Sequence, residues 1–161
     1  RISRKDLYEG LKAAGQPGRF EVFSVRSLSG KKHTVVIDGA HNFDGSKALA
    51  DAAKDFFHGQ KILMVTGILA DKDIDGITGC FMDITKDFVV TEPDNPRKLN
   101  VSELAEILEK KGGSCIKAFD IKDAYDKAML KRDEYDVTIY AGSLYMIGKV
   151  RTMLRKEKTY A

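Results

Sequence analysis

The sequence predicts an α/β domain with a mostly parallel sheet, and three observations support this prediction. From residue 20 onward, short β-rich runs alternate with segments of helical spacing, joined by short connections. The runs TVVI, ILMVT, FVVT and VTIYA are apolar throughout, which is typical of strands buried on both faces. A length of 161 residues fits one domain with a sizeable core.

Six strands are expected along the chain. The first is reached without a preceding crossover helix, so we expect it to be an antiparallel edge strand. The others are separated by helical segments, which favours right-handed parallel crossovers. The predicted strands are Glu21–Arg26, Thr34–Ile37, Ile62–Thr66, Phe88–Thr91, Cys115–Ala118 and Val137–Tyr140.

About five helices are expected to flank the sheet. Residues 44–58 carry one apolar stripe at helical spacing, and Asp44 could cap this helix. A capping-box pattern at Asn100–Glu103 begins another helix, which stops at Gly112 and Gly113.

The remaining segments complete a three-layer, Rossmann-like domain. Apolar spacing predicts helices over residues 124–129 and 144–154. Gly76 and Gly79 interrupt the pattern of residues 70–84, where we expect short helical turns and a mobile loop. Residues 1–18 are interpreted as a helix or linker that ends at a Pro-Gly pair.

Composition excludes some classes of function. The net charge of +3 is concentrated in residues 149–158, and no aromatic residues interleave with it, so nucleic-acid binding is not expected. No apolar run approaches the roughly 20 residues of a membrane span, and no signal peptide is recognisable. The two cysteines, Cys80 and Cys115, fit reduced thiols in a cytoplasmic protein better than a disulfide or a zinc site.

Polar residues follow four of the predicted strands, at the sheet edge where ligands of open parallel sheets bind. They comprise residues 38–42, residues 71–73, residues 92–97 and Gly142 with Ser143. Asp38 directly follows a buried strand, where it could either accept from ribose hydroxyls or anchor the next turn. The residues alone favour neither interpretation.

The other candidates are similarly open. His41 could donate to a phosphate or carboxylate, or be merely solvated. Ser143 at a helix start could help to bind an anion, or act as a plain cap. Lys72 lies in a charged turn that could be simple surface. Arg19 and Arg97 could each neutralise phosphate or pair with a structural aspartate.

Several catalytic motifs are missing from the sequence. GxGxxG, the phosphate-binding GxxxxGK[ST], HExxH and GxSxG do not occur. The three histidines lie in unrelated segments, and no metal-ligand spacing is present. A self-contained catalyst is therefore difficult to assemble from these residues.

Four motifs in order resemble one known family. They are PGRFE at 17–21, VIDGAHN at 36–42, GILADKD at 67–73 and AGSLYMIGKVR at 141–151. This series, covering most of the chain, resembles the C-terminal domain of folylpolyglutamate and dihydrofolate synthases, within the Mur ligase superfamily. Gln16 stands where the family commonly has Trp, and Phe43 where it commonly has Pro.

The resemblance implies a reaction and a division of labour. Such enzymes use ATP and Mg²⁺ to convert a folate or dihydropteroate carboxylate into an acyl phosphate, which the amino group of L-glutamate attacks. The phosphate-binding loop and the metal ligands belong to a larger N-terminal domain, so residues 1–18 are interpreted as the linker and residues 19–161 as the C-terminal domain. We expect this domain alone to be inactive, to hold no metal site of its own, and to be part of a cytoplasmic monomer.

The resemblance also assigns roles residue by residue. Arg19 would contact the ATP phosphates and Asp38 the ribose, while His41 and Ser143 would hold the incoming glutamate. Asn42 and Lys72 lie in matching motifs and are expected to contact the nucleotide. Two alternatives remain: a stand-alone nucleotide-binding or regulatory module, and the C-terminal domain of another Mur-type peptide ligase.

Overall fold

The computed structural model describes residues 3, 5–6, 9–10 and 16–159. Residues 158 and 159 are described by their backbone only. The interpretation of residues 1–18 as a helix or linker therefore falls largely outside the described residues. Within residues 16–159 the chain forms six strands and five helices, and each strand after β2 follows a helix. The strands are β1 Glu21–Arg26, β2 Lys32–Ile37, β3 Ile62–Thr66, β4 Asp87–Val90, β5 Ser114–Lys117 and β6 Val137–Ala141. The helices are α1 Phe43–Phe56, α2 Ile74–Met82, α3 Val101–Lys110, α4 Ile121–Leu130 and α5 Leu144–Thr159.

The sheet has the order β1-β2-β6-β3-β4-β5. Strand β1 pairs with β2 in antiparallel register, Glu21 opposite Ile37, and the other pairs are parallel. The predicted antiparallel edge strand is therefore confirmed. Strands β3 and β6 are buried at every residue, as their uninterrupted apolar sequences predict.

Two apolar clusters cover the two faces of the sheet, which gives the predicted three layers. Helices α1, α2 and α3 pack on one face, and helices α4 and α5 pack on the other. Alternate residues of each strand face opposite clusters: Met64 belongs to the first and Val65 to the second. None of the helices in the described part of the chain combines the length and the apolar character that a membrane span requires.

Two local predictions are wrong. Residues 74–82 form the regular helix α2 rather than separate turns and a loop, because Asp73 caps it and accepts from the Gly76 amide at 3.0 Å. A Cβ at position 76 would lie 2.9 Å from the Phe43 ring, so glycine there permits close packing against α1. Asn42, not Asp44, caps α1: its side-chain oxygen accepts from the Gly45 amide at 2.8 Å.

His33 is a buried polar residue of the core. It is 2% exposed, and its Nε2 lies 2.9 Å from the equally buried Thr138 hydroxyl. Burial, together with the positive charge of Arg132, lowers the pKa of His33 to about 4. The folded chain therefore holds His33 neutral at pH values where the unfolded chain protonates it.

We expect this difference to make the protein sensitive to mild acid. Between pH 6.5 and about 4, His33 binds a proton in the unfolded state but not in the folded state. Acidification over this range therefore lowers the free energy of unfolding by at most about 1.4 kcal/mol per pH unit. Urea unfolding at pH 7 and pH 5 measures it, and His33→Gln, which does not titrate, should flatten the slope. Equal slopes in both proteins would contradict this assignment.

Candidate functional site

The sheet has a crevice where neighbouring strands send their following helices to opposite faces. The chain leaves β2 toward α1 on one face, while it leaves the adjacent β6 toward α5 on the other face. Such a divergence at the carboxyl ends of parallel strands is where open α/β sheets bind ligands. Because β1 runs antiparallel, its first residues also lie at this edge, beside the end of β2.

A cavity of about 680 Å³ opens at this crevice. Four of the predicted site residues, Arg19, Asp38, His41 and Asn42, line it. Much of the remaining lining is apolar. It includes Phe20, Ala48, Leu49, Ala52, Phe56 and Leu144. A cavity lined by both polar and apolar side chains suits a ligand that carries both a charged and a flat, apolar part.

Asp38 holds two backbone segments beside the cavity. One of its carboxylate oxygens accepts from the Phe20 amide and the other from the Ala40 amide, each at 2.8 Å. Burial raises the pKa of Asp38, although these two amides and the charge of Arg19 oppose that rise. Of the two open interpretations, the anchor of the turn is thus present in the structure. Each oxygen keeps a further lone pair for a ligand hydroxyl.

The loop before β1 presents Arg19 from a strained backbone. Phe20 has φ 41°, a conformation that residues other than glycine seldom adopt. Its amide is held by Asp38, and its ring packs against Phe56 and Phe57, with centroid distances of 5.3 and 6.1 Å. The Arg19 side chain is exposed, and no described residue forms an ion pair with it within 4.0 Å. Strain held by several contacts next to a free cation is typical of a functional loop.

His41 and Asn42 follow Asp38 at the start of α1. The Nδ1 of His41 donates to the Gly39 carbonyl at 2.7 Å, so the neutral ring carries its lone pair on Nε2. That nitrogen can accept from an amine. The Asn42 oxygen is occupied by the Gly45 amide, which leaves the Asn42 NH₂ group as a donor.

Two predicted site residues do not line the cavity. Ser143 is 1% exposed, and its hydroxyl accepts from the Tyr145 amide at 3.2 Å, so it caps α5. Its loop nevertheless touches the site, since the Gly142 amide donates to the Ala40 carbonyl at 2.8 Å. Lys72 is half-buried in the turn between β3 and α2, away from the cavity lining.

Arg97 forms structural contacts with the loop after β3. Its guanidinium pairs with Asp71 at 2.7 Å, and its carbonyl accepts from the Ala70 amide at 2.7 Å. These contacts join the loop after β3 to the loop after β4. Of the two open interpretations, pairing with an aspartate is thus the one present in the structure.

Gly142 allows this close approach of loops. It has φ 119°, and a Cβ there would lie 2.8 Å from the Gly67 carbonyl oxygen and closer still to the Thr66 hydroxyl. We expect Gly142→Ala to lower the free energy of unfolding by about 2–4 kcal/mol. Gly79→Ala is the matched control, since a Cβ in that helix meets nothing within 4 Å, and it should raise stability by about 0.5–1 kcal/mol. Equal changes for both variants in urea unfolding would refute the steric argument.

A second cavity, of about 590 Å³, lies between the loops after β4 and β5 and helix α5. It contains three lysines, Lys98, Lys122 and Lys149, but each forms an ion pair with a neighbouring carboxylate. None of the six predicted site residues lines it. Positive charge without an ion-pair partner among the described residues is therefore found in the cavity around Arg19 and not in this second cavity.

The match to a known family covers the same motifs. Residues 18–144 match the family described as Mur ligase, glutamate ligase domain. The chain belongs to this Mur ligase family. The matched segment begins at the loop that carries Arg19 and ends at the start of α5, so it includes all six predicted site residues.

Relatives of this Mur ligase domain include a folylpolyglutamate synthase and a diaminopimelate ligase. Folylpolyglutamate synthase of Lacticaseibacillus casei is 32% identical over 160 residues, covering 95% of this chain and 33% of that protein. A Clostridium acetobutylicum UDP-N-acetylmuramoyl-L-alanyl-D-glutamate–2,6-diaminopimelate ligase is 31% identical over 146 residues, covering 88% of this chain and 30% of that protein. The chain spans about a third or less of the curated relatives it matches.

Solved structures of folate enzymes share the fold. Escherichia coli FolC in complex with DHPP and ADP superposes with a TM-score of 0.77 at 25% identity, covering 98% of this chain and 36% of that one. A bifunctional folylpolyglutamate synthase/dihydrofolate synthase with Mn, AMPPNP and L-glutamate bound gives 0.75 at 29% identity, covering 96% and 36%. The predicted family and fold class are thereby confirmed.

The Mur ligase domain fits part of a nucleotide better than a metal. Its cavity offers an arginine without an ion-pair partner among the described residues, a half-buried carboxylate and two phenylalanine side chains, which suit phosphate, ribose and base respectively. Among the residues the structure describes, no group of three or more His, Cys, Asp or Glu side chains could hold a metal ion.

Proposed function

We propose that this chain is the C-terminal domain of an ATP-dependent ligase that joins L-glutamate to the carboxylate of a folate or dihydropteroate. The observation that carries the proposal is the convergence of Arg19, Asp38, His41 and Asn42 on one cavity at the sheet crevice. The likeness to enzymes solved with ADP, or with AMPPNP and L-glutamate, supports this choice of ligands. We place the boundary with a preceding domain at residues 18 and 19, beside the start of the family match.

In this proposal the domain contributes to nucleotide binding. ATP supplies the phosphoryl group that converts the acceptor carboxylate into an acyl phosphate. Arg19 neutralises phosphate charge with its free guanidinium. Asp38 accepts from ribose hydroxyls with the lone pairs that its two amide donors leave unused. Asn42 donates through its NH₂ group, and Lys72 reaches the nucleotide only if its turn moves toward the cavity.

The domain also orients the amino acid. The lone pair on Nε2 of His41 accepts from the glutamate amino group, which attacks the acyl carbonyl. The amide bond forms as the bond between the acyl carbon and the phosphate oxygen breaks, phosphate leaves, and the proton lost by the amine passes to Nε2 of His41. Ser143 caps α5 and keeps its own proton, but its hydroxyl is buried outside the cavity lining, so it donates to a glutamate carboxylate only if the start of α5 becomes accessible. Positioning and charge neutralisation account for most catalysis of this kind, so the domain needs no nucleophile.

The metal belongs elsewhere in this proposal. The described residues form no metal-binding group, so Mg²⁺ ligands are assigned to a preceding domain, together with the phosphate-binding loop that the sequence lacks. The relatives are about three times as long as this chain or longer, which leaves room for such a domain. Both cysteines are free thiols, which agrees with the expected cytoplasmic location.

The test is release of ADP and phosphate by the full-length protein, given ATP, Mg²⁺ and L-glutamate. Dihydropteroate and tetrahydrofolate are offered as separate acceptors. Turnover that needs both glutamate and one of these acceptors would support the proposal and show which activity the protein has. If neither acceptor gives turnover, the proposal is refuted.

A second candidate is a peptide ligase of the same family, favoured by the likeness to the diaminopimelate ligase. The same assay distinguishes it. UDP-N-acetylmuramoyl-L-alanyl-D-glutamate then replaces the folate acceptor, and diaminopimelate replaces glutamate. Turnover only with this pair would assign the peptide ligase instead.

A further inference from the structure

One ion pair reaches the site loop from the last helix without lining the cavity. Glu21 at the start of β1 accepts from Arg151 on α5, with Oε2 2.9 Å and Oε1 3.2 Å from the arginine Nε. Both side chains are about one-fifth exposed, at 21% and 22%, so the pair is largely shielded from water. The residues lie 130 positions apart in the sequence.

The same carboxylate holds the backbone of the loop that carries Arg19. The Gly18 amide donates to Glu21 Oε2 at 3.0 Å, so this one oxygen joins the loop to α5. On the other side of the loop, the Gly18 carbonyl accepts from the Gly39 amide at 2.6 Å. The residue before Arg19 is therefore held from two directions, and the residue after it, Phe20, is held by Asp38.

The charge state of Glu21 reflects these contacts. Burial alone would raise its pKa, but the hydrogen bonds from Arg151 and Gly18 and the charge of Arg151 bring the pKa below its ordinary value. The carboxylate is therefore ionised in the folded state at neutral pH. Only an ionised carboxylate can accept from both the amide and the guanidinium at this strength.

The position of Arg19 depends on these backbone contacts, because no ion pair with a described residue holds its side chain. Its guanidinium is exposed and forms no ion pair with a described residue, while its neighbours Gly18 and Phe20 both have positive φ values, 74° and 41°. A backbone in this conformation relaxes when its hydrogen bonds are lost. A free cation on a fixed backbone binds a phosphate without first losing the freedom of the loop.

We propose that the Glu21–Arg151 pair positions Arg19 for the phosphates of a bound nucleotide. The pair fixes the Gly18 peptide and links its orientation to α5. It makes no contact with the ligand. This inference rests on the proposed function only in that the cavity binds a nucleotide.

The test compares ADP affinity and amide exchange in variants of the full-length protein. Arg151→Met removes the charge but keeps a long side chain, and we expect it to weaken ADP binding about tenfold. Exchange of the Gly18 amide should accelerate at least about tenfold in the same variant, since its acceptor is then free to move. Arg151→Lys, which restores the charge, should recover most of the affinity.

Lys149→Met is the matched control. Lys149 lies on the same helix as Arg151, and the substitution breaks its exposed ion pair with Asp94 in the loop after β4 while leaving Gly18 untouched. An equal loss of ADP affinity in this control would overturn the proposal, because a general effect on α5 would then explain both variants.

A double variant separates positioning from simple destabilisation. If the pair acts through Arg19, then Arg19→Ala combined with Arg151→Met should bind ADP no more weakly than Arg19→Ala alone. Additive losses, or an unchanged affinity in Arg151→Met, would overturn the inference. These measurements need no ligase substrate, so a failed ligation assay counts against the proposed function alone.

Discussion

Replacing Asp38 by alanine in the full-length protein is expected to lower kcat/KM for ligation by about 100-fold or more. The substitution removes the proposed ribose acceptor and also frees the Phe20 and Ala40 amides, so the loop that carries Arg19 loses its anchor. The two hydrogen bonds to the charged group contribute about 1.5–3 kcal/mol each, and the cost of burying that charge offsets part of this, so the free energy of unfolding should fall by about 2–4 kcal/mol as well.

Asp38→Asn separates the two effects. Its amide oxygen can still accept from one of the two backbone donors, so most of the stability should return while the charge does not. We expect activity to stay low and the unfolding midpoint to recover by at least half. Full activity in Asp38→Asn, or in Asp38→Ala after correction for unfolded protein, would show that Asp38 is an anchor only.

Replacing Arg19 by alanine should have a comparable effect on activity with little effect on stability. The side chain is exposed and without an ion-pair partner among the described residues, so its removal should change the free energy of unfolding by no more than about 0.5 kcal/mol. Loss of a phosphate-binding arginine should reduce kcat/KM by about 100-fold or more.

Arg26→Ala is the matched control for Arg19→Ala. Arg26 ends the same strand that Arg19 precedes, it is also exposed, and its side chain donates to the Gly30 carbonyl at the far edge of the sheet. Steady-state kinetics and urea unfolding of both variants measure the difference. Equal activity in the two variants would remove Arg19 from the proposed site.

Much of the fold was predictable because its strands are determined by local pattern. Strands β1 and β3 have the predicted bounds, and the other four differ by one or two residues at one or both ends. Burial on both faces requires uninterrupted apolar runs, and such runs are visible in a single sequence. The wrong prediction of turns in place of α2 arose because a contact between distant residues, not a local pattern, determines that helix. Gly76 lowers helix propensity locally, but it makes room for Asp73 and the Phe43 ring, and that contact depends on a distant helix.

The site was predictable only in part, for a similar reason. Asp38, His41 and Asn42 follow one strand, so their proximity follows from topology alone. In the core, the ion pair between Arg132, whose side chain is 2% exposed, and Glu157 at 3.0 Å was not visible in the sequence. Nor was the contact between Glu21 and Arg151, which joins the two ends of the domain. Long-range pairs of this kind leave no periodic signal in a sequence, although both members of the second pair lie in the recognised motifs.

The antiparallel direction of β1 also has a mechanical consequence. A tension applied to the chain ahead of residue 16 would pull β1 along its own axis. The backbone hydrogen bonds to β2 are perpendicular to that axis, so the six registered pairs from Glu21–Ile37 to Arg26–Lys32 would be loaded together in shear. The two hydrogen bonds of Gly18, to the Glu21 carboxylate and from the Gly39 amide, would carry the same force before it reached β1. The loop around Arg19 would therefore yield under load while the sheet stayed intact.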